Sequence, residues 1–145
     1  MDVATPVVQA FFDQYSRSRS AVDIDRIASQ YADSCMFAGP GGARFADKQA
    51  VREGFPKAME LLKTVGHTST KLASVSETGM DEHYAMVRAQ FVWRFEKEAA
   101  PPTDVNVDST FILYTKDGVP KIVFQHEHED FWQALRTRGV LPAQA

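Results

Sequence analysis

The sequence is poor in cysteine and has no long apolar run. Cys35 is the single cysteine among 145 residues, which excludes an internal disulfide and a four-cysteine zinc site. No apolar run approaches the ~18–20 residues of a membrane span, and the opening MDVATP has neither the basic nor the apolar region of an export signal. We therefore expect a cytoplasmic protein that does not bind membranes.

The chain also has little net charge. Its 16 Lys and Arg against 19 Asp and Glu give −3 at pH 7, so nucleic acid is not an expected partner. Aromatic residues, in contrast, are plentiful, with 10 Phe, 4 Tyr and 2 Trp. An interior of this kind can form a solid core or enclose a cavity.

Two helices are predicted near the start of the chain. Thr5-Pro6 is typical of a helix start, and apolar residues at spacings of three and four continue to about Ser18. Asp23 predicts the cap of a short second helix, with Tyr31 on its inner side. We interpret the arginines near this helix, at positions 17, 19 and 26, as a solvated surface.

A third helix is predicted after a short strand and a loop. Residues 35–38 predict the strand, and GPGGARF at 39–45 predicts the loop. The helix should begin near Asp47 and end at Gly66. Pro56 should bend or split it, because proline removes a helical hydrogen bond and clashes one turn back.

After the third helix the hydrophobic period changes to two. This predicts antiparallel strands at about 67–77, 83–97, 104–115 and 121–130. A short helical turn and a frayed tail at about 138–145 should follow, so 1–145 is predicted to be a single α+β domain. Because the long strands are half-apolar on both faces, we expect helices on one face and a second copy of the chain on the other.

Several segments in this order carry a family resemblance. They are VVQAFF, IASQYADSCMF, KQAVREGF and TFILYTKDGVPKIV. On these segments the chain resembles the nuclear transport factor 2-like superfamily, which includes ketosteroid isomerase and the SnoaL-like polyketide cyclases. The resemblance implies three N-terminal helices packed in a strongly curved, mainly antiparallel sheet, the cystatin-like cone. It also implies a pocket at the open end and commonly a homodimer through the sheet face.

The same resemblance argues against steroid isomerase chemistry. Ketosteroid isomerases need a first-helix tyrosine and a carboxylate base after the first strand. Matching the segments puts Phe11 and Gly39 at these two positions. A phenyl ring cannot hydrogen-bond an oxyanion, and glycine cannot take a proton.

We predict a largely apolar pocket with two acid/base candidates, Asp108 and Glu127. The expected lining residues are Phe11, Tyr15, Tyr31, Phe55, Val87, Phe91, Trp93 and Gln125. Asp108 interrupts an otherwise uncharged strand, and its alternative place is a strand end in water. Glu127 would act as acid or base if buried, or would pair with Arg88 or Arg94 across the sheet.

Two readings of the last strand remain open. Simple alternation groups His126 and His128 with the apolar Ile122 and Phe124, which would turn the histidines inward. The family pattern instead puts Val123, Gln125, Glu127 and Glu129 inside and the histidines at the subunit interface, and we favour it. A metal at the His-x-His pair would need a third and a fourth ligand, for which the sequence offers only the scattered His67, His83 and Asp108, so we predict neither a metal nor another cofactor.

The expected function is binding of a small hydrophobic organic molecule. If the protein is an enzyme, which the residues leave open, acid/base chemistry of the isomerase or lyase type is expected. Tyr15 and Tyr31 would then orient the ligand with their hydroxyls. The alternatives are a non-catalytic binding or interaction module, and the small subunit of a larger oxygenase.

Overall fold

The computed structural model describes residues 2–142, which form four helices and seven strands. The helices are α1 (Pro6–Ser20), α2 (Ile24–Ser29), α3 (Lys48–Thr64) and α4 (Phe131–Thr137). The strands are β1 (Asp2–Val3), β2 (Tyr31–Gly39), β3 (Gly42–Asp47), β4 (His67–Gly79), β5 (Tyr84–Phe95), β6 (Thr103–Lys116) and β7 (Val119–Glu127).

All seven strands belong to one sheet in the order β1-β4-β5-β6-β7-β2-β3. Only the β2–β7 pair is parallel in this part of the chain; every other neighbouring pair is antiparallel. The predicted α+β class with a mainly antiparallel sheet is thus confirmed. No helix within residues 2–142 is long and apolar enough to cross a membrane.

The helices begin at side-chain caps that the sequence indicates. The carboxylates of Asp23, Asp47 and Asp130 accept hydrogen bonds from backbone N–H groups three residues later, at 3.2, 2.8 and 2.9 Å. Pro56 does not split α3, because the helix continues through it from Lys48 to Thr64, and the expected alternative of a bend stays a prediction. The carbonyl that loses its N–H donor belongs to the exposed Arg52, where water can replace the donor.

The predicted loop at 39–45 is also wrong, since most of it is a β-hairpin. β2 starts at Tyr31, which therefore lies on a strand and not on the second helix. Gly39 pairs with Gly42 across the turn, and the φ of +126° at Gly42 is a conformation that glycine adopts readily. The glycines form only the turn between β2 and β3. The residues of β2 before the turn pair with β7, which is distant in the sequence.

The core lies between the concave, inner face of the sheet and the helices. Phe12 of α1 has no exposed surface, and its ring centroid lies 4.8 Å from that of Phe111 and 6.4 Å from that of Phe91. Val140, in the tail predicted to fray, is 3 % exposed, and its N–H donates to the Leu135 carbonyl at 2.8 Å. The described part of that tail is therefore packed, whereas residues 143–145 lie outside the described residues.

A β-bulge in β7 decides which side chains face inward. Leu113 pairs with Ile122 and Ile112 pairs with Phe124, which leaves Val123 as an extra residue on β7. Alternation therefore shifts by one at this point. Ile122, Gln125 and Glu127 share the inner face, while Phe124 and His126 lie on the convex, outer face.

Candidate functional site

A cavity of about 300 Å³ lies between the inner face of the sheet and helices α1, α3 and α4. Its wall is mostly apolar, with contributions from Phe37, Met59, Leu62, Phe91, Trp93 and Phe131. The exposed members of the lining, Arg44, Ala50 and Gly54, place its open side between β3 and α3. The cavity is therefore an apolar space that a small molecule can reach from solvent.

Several residues proposed from the sequence as lining lie at this cavity. They are Tyr15, Phe55, Phe91, Trp93 and Gln125. Trp93 also packs on Phe131 of α4, with 5.0 Å between ring centroids. The inner positions of β5 and the first residues of α4 thus supply much of the aromatic wall.

Phe11, Tyr31 and Val87 do not line the cavity, which corrects their predicted position. Phe11 is half-buried and meets the edge of Phe12, because adjacent helical residues point about 100° apart. Val87 has no exposed surface and is packed within the core. Tyr31 is fully buried, and its hydroxyl donates to Gln125 at 2.6 Å.

A continuous chain of hydrogen bonds forms the polar part of the site. The Ser109 hydroxyl donates to Glu127 Oε2 at 2.6 Å, and Gln125 Nε2 donates to Glu127 Oε1 at 2.7 Å. Gln125 Oε1 accepts from the Tyr31 hydroxyl, which accepts in turn from Arg19 Nη2 at 2.9 Å. Glu127 and Arg19 are therefore the two charged ends of one network.

Arg19 is the functional candidate that the sequence interpretation missed. Its expected place on a solvated surface is wrong, because the residue is 1 % exposed and lines the cavity. Its guanidinium carbon lies 3.2 Å from the centre of the Tyr15 ring, a close cation–π contact. Helical spacing was the available signal, since position 19 continues the apolar stripe of Phe12 and Tyr15 by one turn.

Tyr15, whose hydroxyl accepts from Gln125 Nε2 at 3.4 Å, and Tyr31 are both neutral at physiological pH. Burial raises the pKa of Tyr15 above its usual value, although the nearby positive charge of Arg19 opposes this. Burial raises the pKa of Tyr31 still more clearly, with a further contribution from Tyr15. Both phenols therefore keep their protons and do not compete with Glu127 as bases.

Asp108 does not face the cavity, which corrects the expectation that it points into the cone. Its neighbours Val107 and Ser109 line the cavity, so alternation turns Asp108 to the outer face. There its carboxylate accepts from Arg88 Nε at 3.1 Å and from Nη2 at 2.5 Å. The hydrogen bonds from Arg88 lower the pKa of Asp108, which therefore stays ionised. Asp108 and Glu127 thus do not converge on one site.

The two histidines of the last strand also lie outside the cavity. The rings of His126 and His128 have centroids 4.5 Å apart, and His128 Nε2 lies 2.6 Å from the Thr110 hydroxyl. Across residues 2–142, no group of three or more His, Cys, Asp or Glu side chains is placed to hold a metal ion. The bulge in β7 turns His126 to the outer face, and neither histidine lines the cavity. The alternative in which the two histidines point into the pocket is therefore wrong.

The site has one carboxylate suited to proton transfer and no activated nucleophile among its described residues. Burial raises the pKa of the Cys35 thiol to about 12, so it is not a thiolate at neutral pH. The two donors to Glu127, from Ser109 and Gln125, fix the orientation of its carboxylate at the cavity wall. A fixed carboxylate beside an apolar space can take a proton from, or give one to, a bound molecule.

Comparison with protein families identifies the chain. A family model described as NTF2-like protein (DUF6841) matches residues 4–130. The chain belongs to this NTF2-like family. The resemblance inferred from VVQAFF and the other segments is thereby confirmed. A search of curated proteins gives no match for this NTF2-like protein.

Solved structures share the fold at low sequence identity. Aln2 from a Streptomyces species is 13% identical with a TM-score of 0.73, covering 94% of this chain and 100% of that one. A putative scytalone dehydratase from Novosphingobium aromaticivorans is 16% identical with a TM-score of 0.65, covering 83% and 80%. The beta subunit of benzoate 1,2-dioxygenase from Burkholderia mallei is 15% identical with a TM-score of 0.68, covering 90% and 93%. An NTF2-like protein from N. aromaticivorans, described as having a cystatin-like fold, is 12% identical with a TM-score of 0.71, covering 94% and 87%. These structures confirm the predicted fold class, and at this level of identity they show the fold alone.

Proposed function

We propose that this NTF2-like protein binds a small hydrophobic organic molecule in the cavity and that Glu127 exchanges a proton with it. The observation that carries the proposal is the position of Glu127. Among the described residues it is the single carboxylate at the wall of a mostly apolar cavity, and two hydrogen bonds hold it in place. Aromatic walls would bind the body of the molecule, and the carboxylate would meet its acidic C–H group.

The reaction class that fits is isomerisation or elimination. Glu127 would take a proton from a carbon of the ligand, and the C–H electron pair would shift within the ligand. The proton would return at another carbon in an isomerisation, or would leave with a hydroxyl as water in a dehydration. Neighbours of the same fold include a protein described as a putative scytalone dehydratase, which supports this class by analogy.

A neutral aromatic carbon acid tests the role of Glu127. 5-Nitrobenzisoxazole opens to a coloured cyanophenolate when a base removes its C–H proton, so initial rates report an accessible base in an apolar pocket. We expect wild-type protein to accelerate this elimination, and Glu127→Gln to lower kcat/KM by roughly 100-fold.

The matched control removes the other candidate carboxylate. Asp108→Asn changes the same chemical group on the outer face, and we expect it to leave the rate unchanged. Equal rates for wild type and Glu127→Gln would reject Glu127 as the base. A rate that falls only in Asp108→Asn would move the chemistry to the outer face.

Binding can be separated from chemistry with 2-naphthol, followed by its fluorescence. Ala58 lines the cavity on α3, and Ala58→Phe should fill part of the space and weaken 2-naphthol binding about tenfold. Leu61→Phe, on the exposed side of the same helix, is the control and should change nothing. Equal affinity in all three proteins would contradict ligand binding in the cavity.

We also propose that the outer face of the sheet meets a second copy of the chain. Met86, Ile112, Phe124, Met36 and Phe45 pair in sequence across β5, β6, β7, β2 and β3, and so form one apolar row, which we call the outer row. Phe45, at its end, is 66 % exposed. A row of this kind on the face away from the helices favours the predicted homodimer.

A further inference from the structure

We infer that the ligand of the cavity is a small aromatic carboxylate whose anionic group binds Arg19. This inference rests on the proposed function, because it assumes that the cavity holds a ligand. It adds the chemical class of that ligand. The inference begins from a buried positive charge that has no acidic partner in contact.

Arg19 contacts only neutral acceptors. Nη1 donates to the Tyr15 carbonyl at 3.2 Å and to Gln30 Oε1 at 3.3 Å, while Nη2 donates to the Tyr31 hydroxyl. None of the ion pairs among residues 2–142 includes Arg19. A guanidinium that is 1 % exposed is costly to keep without a counter-charge, so an anion in the cavity would stabilise it.

The guanidinium also keeps unused donors. Arginine has five N–H groups, and the three hydrogen bonds above leave two of them for a ligand. Arg19 is one of the residues that line the cavity, and we place the anionic group of the ligand at these two N–H groups. The contact with the Tyr15 ring fixes the guanidinium plane, and a fixed plane suits the flat, two-oxygen geometry of a carboxylate.

A second arginine makes the cavity positive overall. Arg44 lies at the open side, its guanidinium carbon is 5.3 Å from the centre of the Phe37 ring, and no ion pair among the described residues includes it. The charged lining is thus Arg19, Arg44 and Glu127, a formal +1 in a chain of net charge −3. The net charge of the cavity lining is thus opposite in sign to that of the whole chain, which favours an anionic ligand.

Glu127 does not conflict with an anion at Arg19. Three hydrogen bonds, through Tyr31 and Gln125, separate the two charged side chains. A carboxylate bound at Arg19 therefore leaves Glu127 to face another part of the ligand. The rest of the cavity lining is mostly apolar, which suits an aromatic body.

The test uses two probes that share a shape and differ in charge. 2-Naphthoate carries the carboxylate, and 2-naphthamide is its neutral counterpart. By calorimetry at pH 7.5 and low salt, we expect wild-type protein to bind 2-naphthoate at least about tenfold more tightly than 2-naphthamide. Arg19→Gln should abolish this preference, Arg19→Lys should keep part of it, and Arg17→Gln, an exposed position on the same helix, should keep all of it.

The outcomes separate this inference from the proposed function. Equal affinity of wild type for the two probes overturns the inference but leaves cavity binding intact. If neither probe binds, the proposed function fails and the inference with it. A preference that survives in folded Arg19→Gln but disappears in Arg44→Gln overturns the assignment to Arg19. Because the wild-type comparison needs no variant, an Arg19 variant that fails to fold does not prevent a decision.

Discussion

The two faces of the sheet carry similar side chains in very different surroundings. Ser109 and Asp108 are adjacent on β6, yet one donates to Glu127 inside the cavity and the other accepts from Arg88 on the outer face. Each face has an arginine, a carboxylate and a hydroxyl. Inside, Arg19 is 1 % exposed, whereas the Arg88 side chain outside is 50 % exposed. Residue type alone therefore does not tell a binding site from a surface ion pair.

The difference lies in how each positive charge is compensated. Outside, Arg88 meets its carboxylate directly, and within one chain the two side chains are 50 % and 31 % exposed. Inside, Arg19 has only neutral partners, and its nearest acidic group in the network is reached through Tyr31 and Gln125. The inner guanidinium therefore has no contacting counter-charge among the described residues, whereas the outer guanidinium has one.

The largest expected effect is on assembly through the outer face. We expect wild-type protein to have twice the 16.2 kDa mass of one chain in light scattering at micromolar concentration. Phe124→Glu, in the middle of the outer row, should raise the dimer dissociation constant by roughly 100-fold or more, because a charge would be buried without a partner.

Val7→Glu is the control for this assembly test. It places the same charge on α1 at a position that is 53 % exposed, and it should leave the dimer intact. A single-chain mass for wild type would contradict the proposed homodimer. A larger chain that copurifies would instead favour the oxygenase-subunit alternative.

A smaller effect is expected when one hydroxyl is removed from the inner network. Tyr31→Phe takes an acceptor from Arg19 and a donor from Gln125, both of which are buried. We expect it to lower the free energy of unfolding in urea by about 1–3 kcal/mol. Thr64→Val, which removes a hydroxyl at an exposed position of α3, should cost less than about 0.5 kcal/mol. Equal losses would show that the buried hydroxyl contributes no more to stability than an exposed one.

The smallest effect is expected from the outer ion pair. Asp108→Asn should lower stability at pH 7 by less than about 1 kcal/mol, because the pair is exposed. Arg88 lowers the pKa of Asp108 in the folded state, so this contribution is complete above the unfolded pKa of about 3.9 and is lost as pH falls through the lower folded pKa. Urea titrations of wild type and variant should therefore converge at low pH. A difference that grows on acidification would contradict this sign.

Local rules in the sequence predict much of the fold. Asp23 and Asp47 cap helices as expected, and alternation along β5 correctly groups Phe91 with Trp93 on one face. These features depend on neighbours within a few residues. Strand β2 is longer than predicted because it pairs with β7, about 90 positions away in the chain, and β3 forms by pairing with β2 alone.

The site was harder to predict because small local shifts decide it. The bulge at Val123 exchanges the inward and outward positions of β7 beyond it, and no residue type nearby indicates that the strand has an extra residue. Asp108 was assigned by its chemistry, although alternation from Val107 and Ser109 already places it on the other face. Arg19 was assigned by its charge, although helical spacing from Tyr15 places it inward.

The bulge at Val123 makes the chemistry of the cavity depend on strand phase and not only on composition. If β7 were regular after Ile122, its inward positions would be Phe124 and His126 in place of Gln125 and Glu127. The same sequence would then present a phenyl ring and an imidazole to a ligand, where it now presents an amide and a carboxylate. The carboxylate chemistry of the cavity therefore depends on one extra residue in β7 as well as on the identity of Glu127.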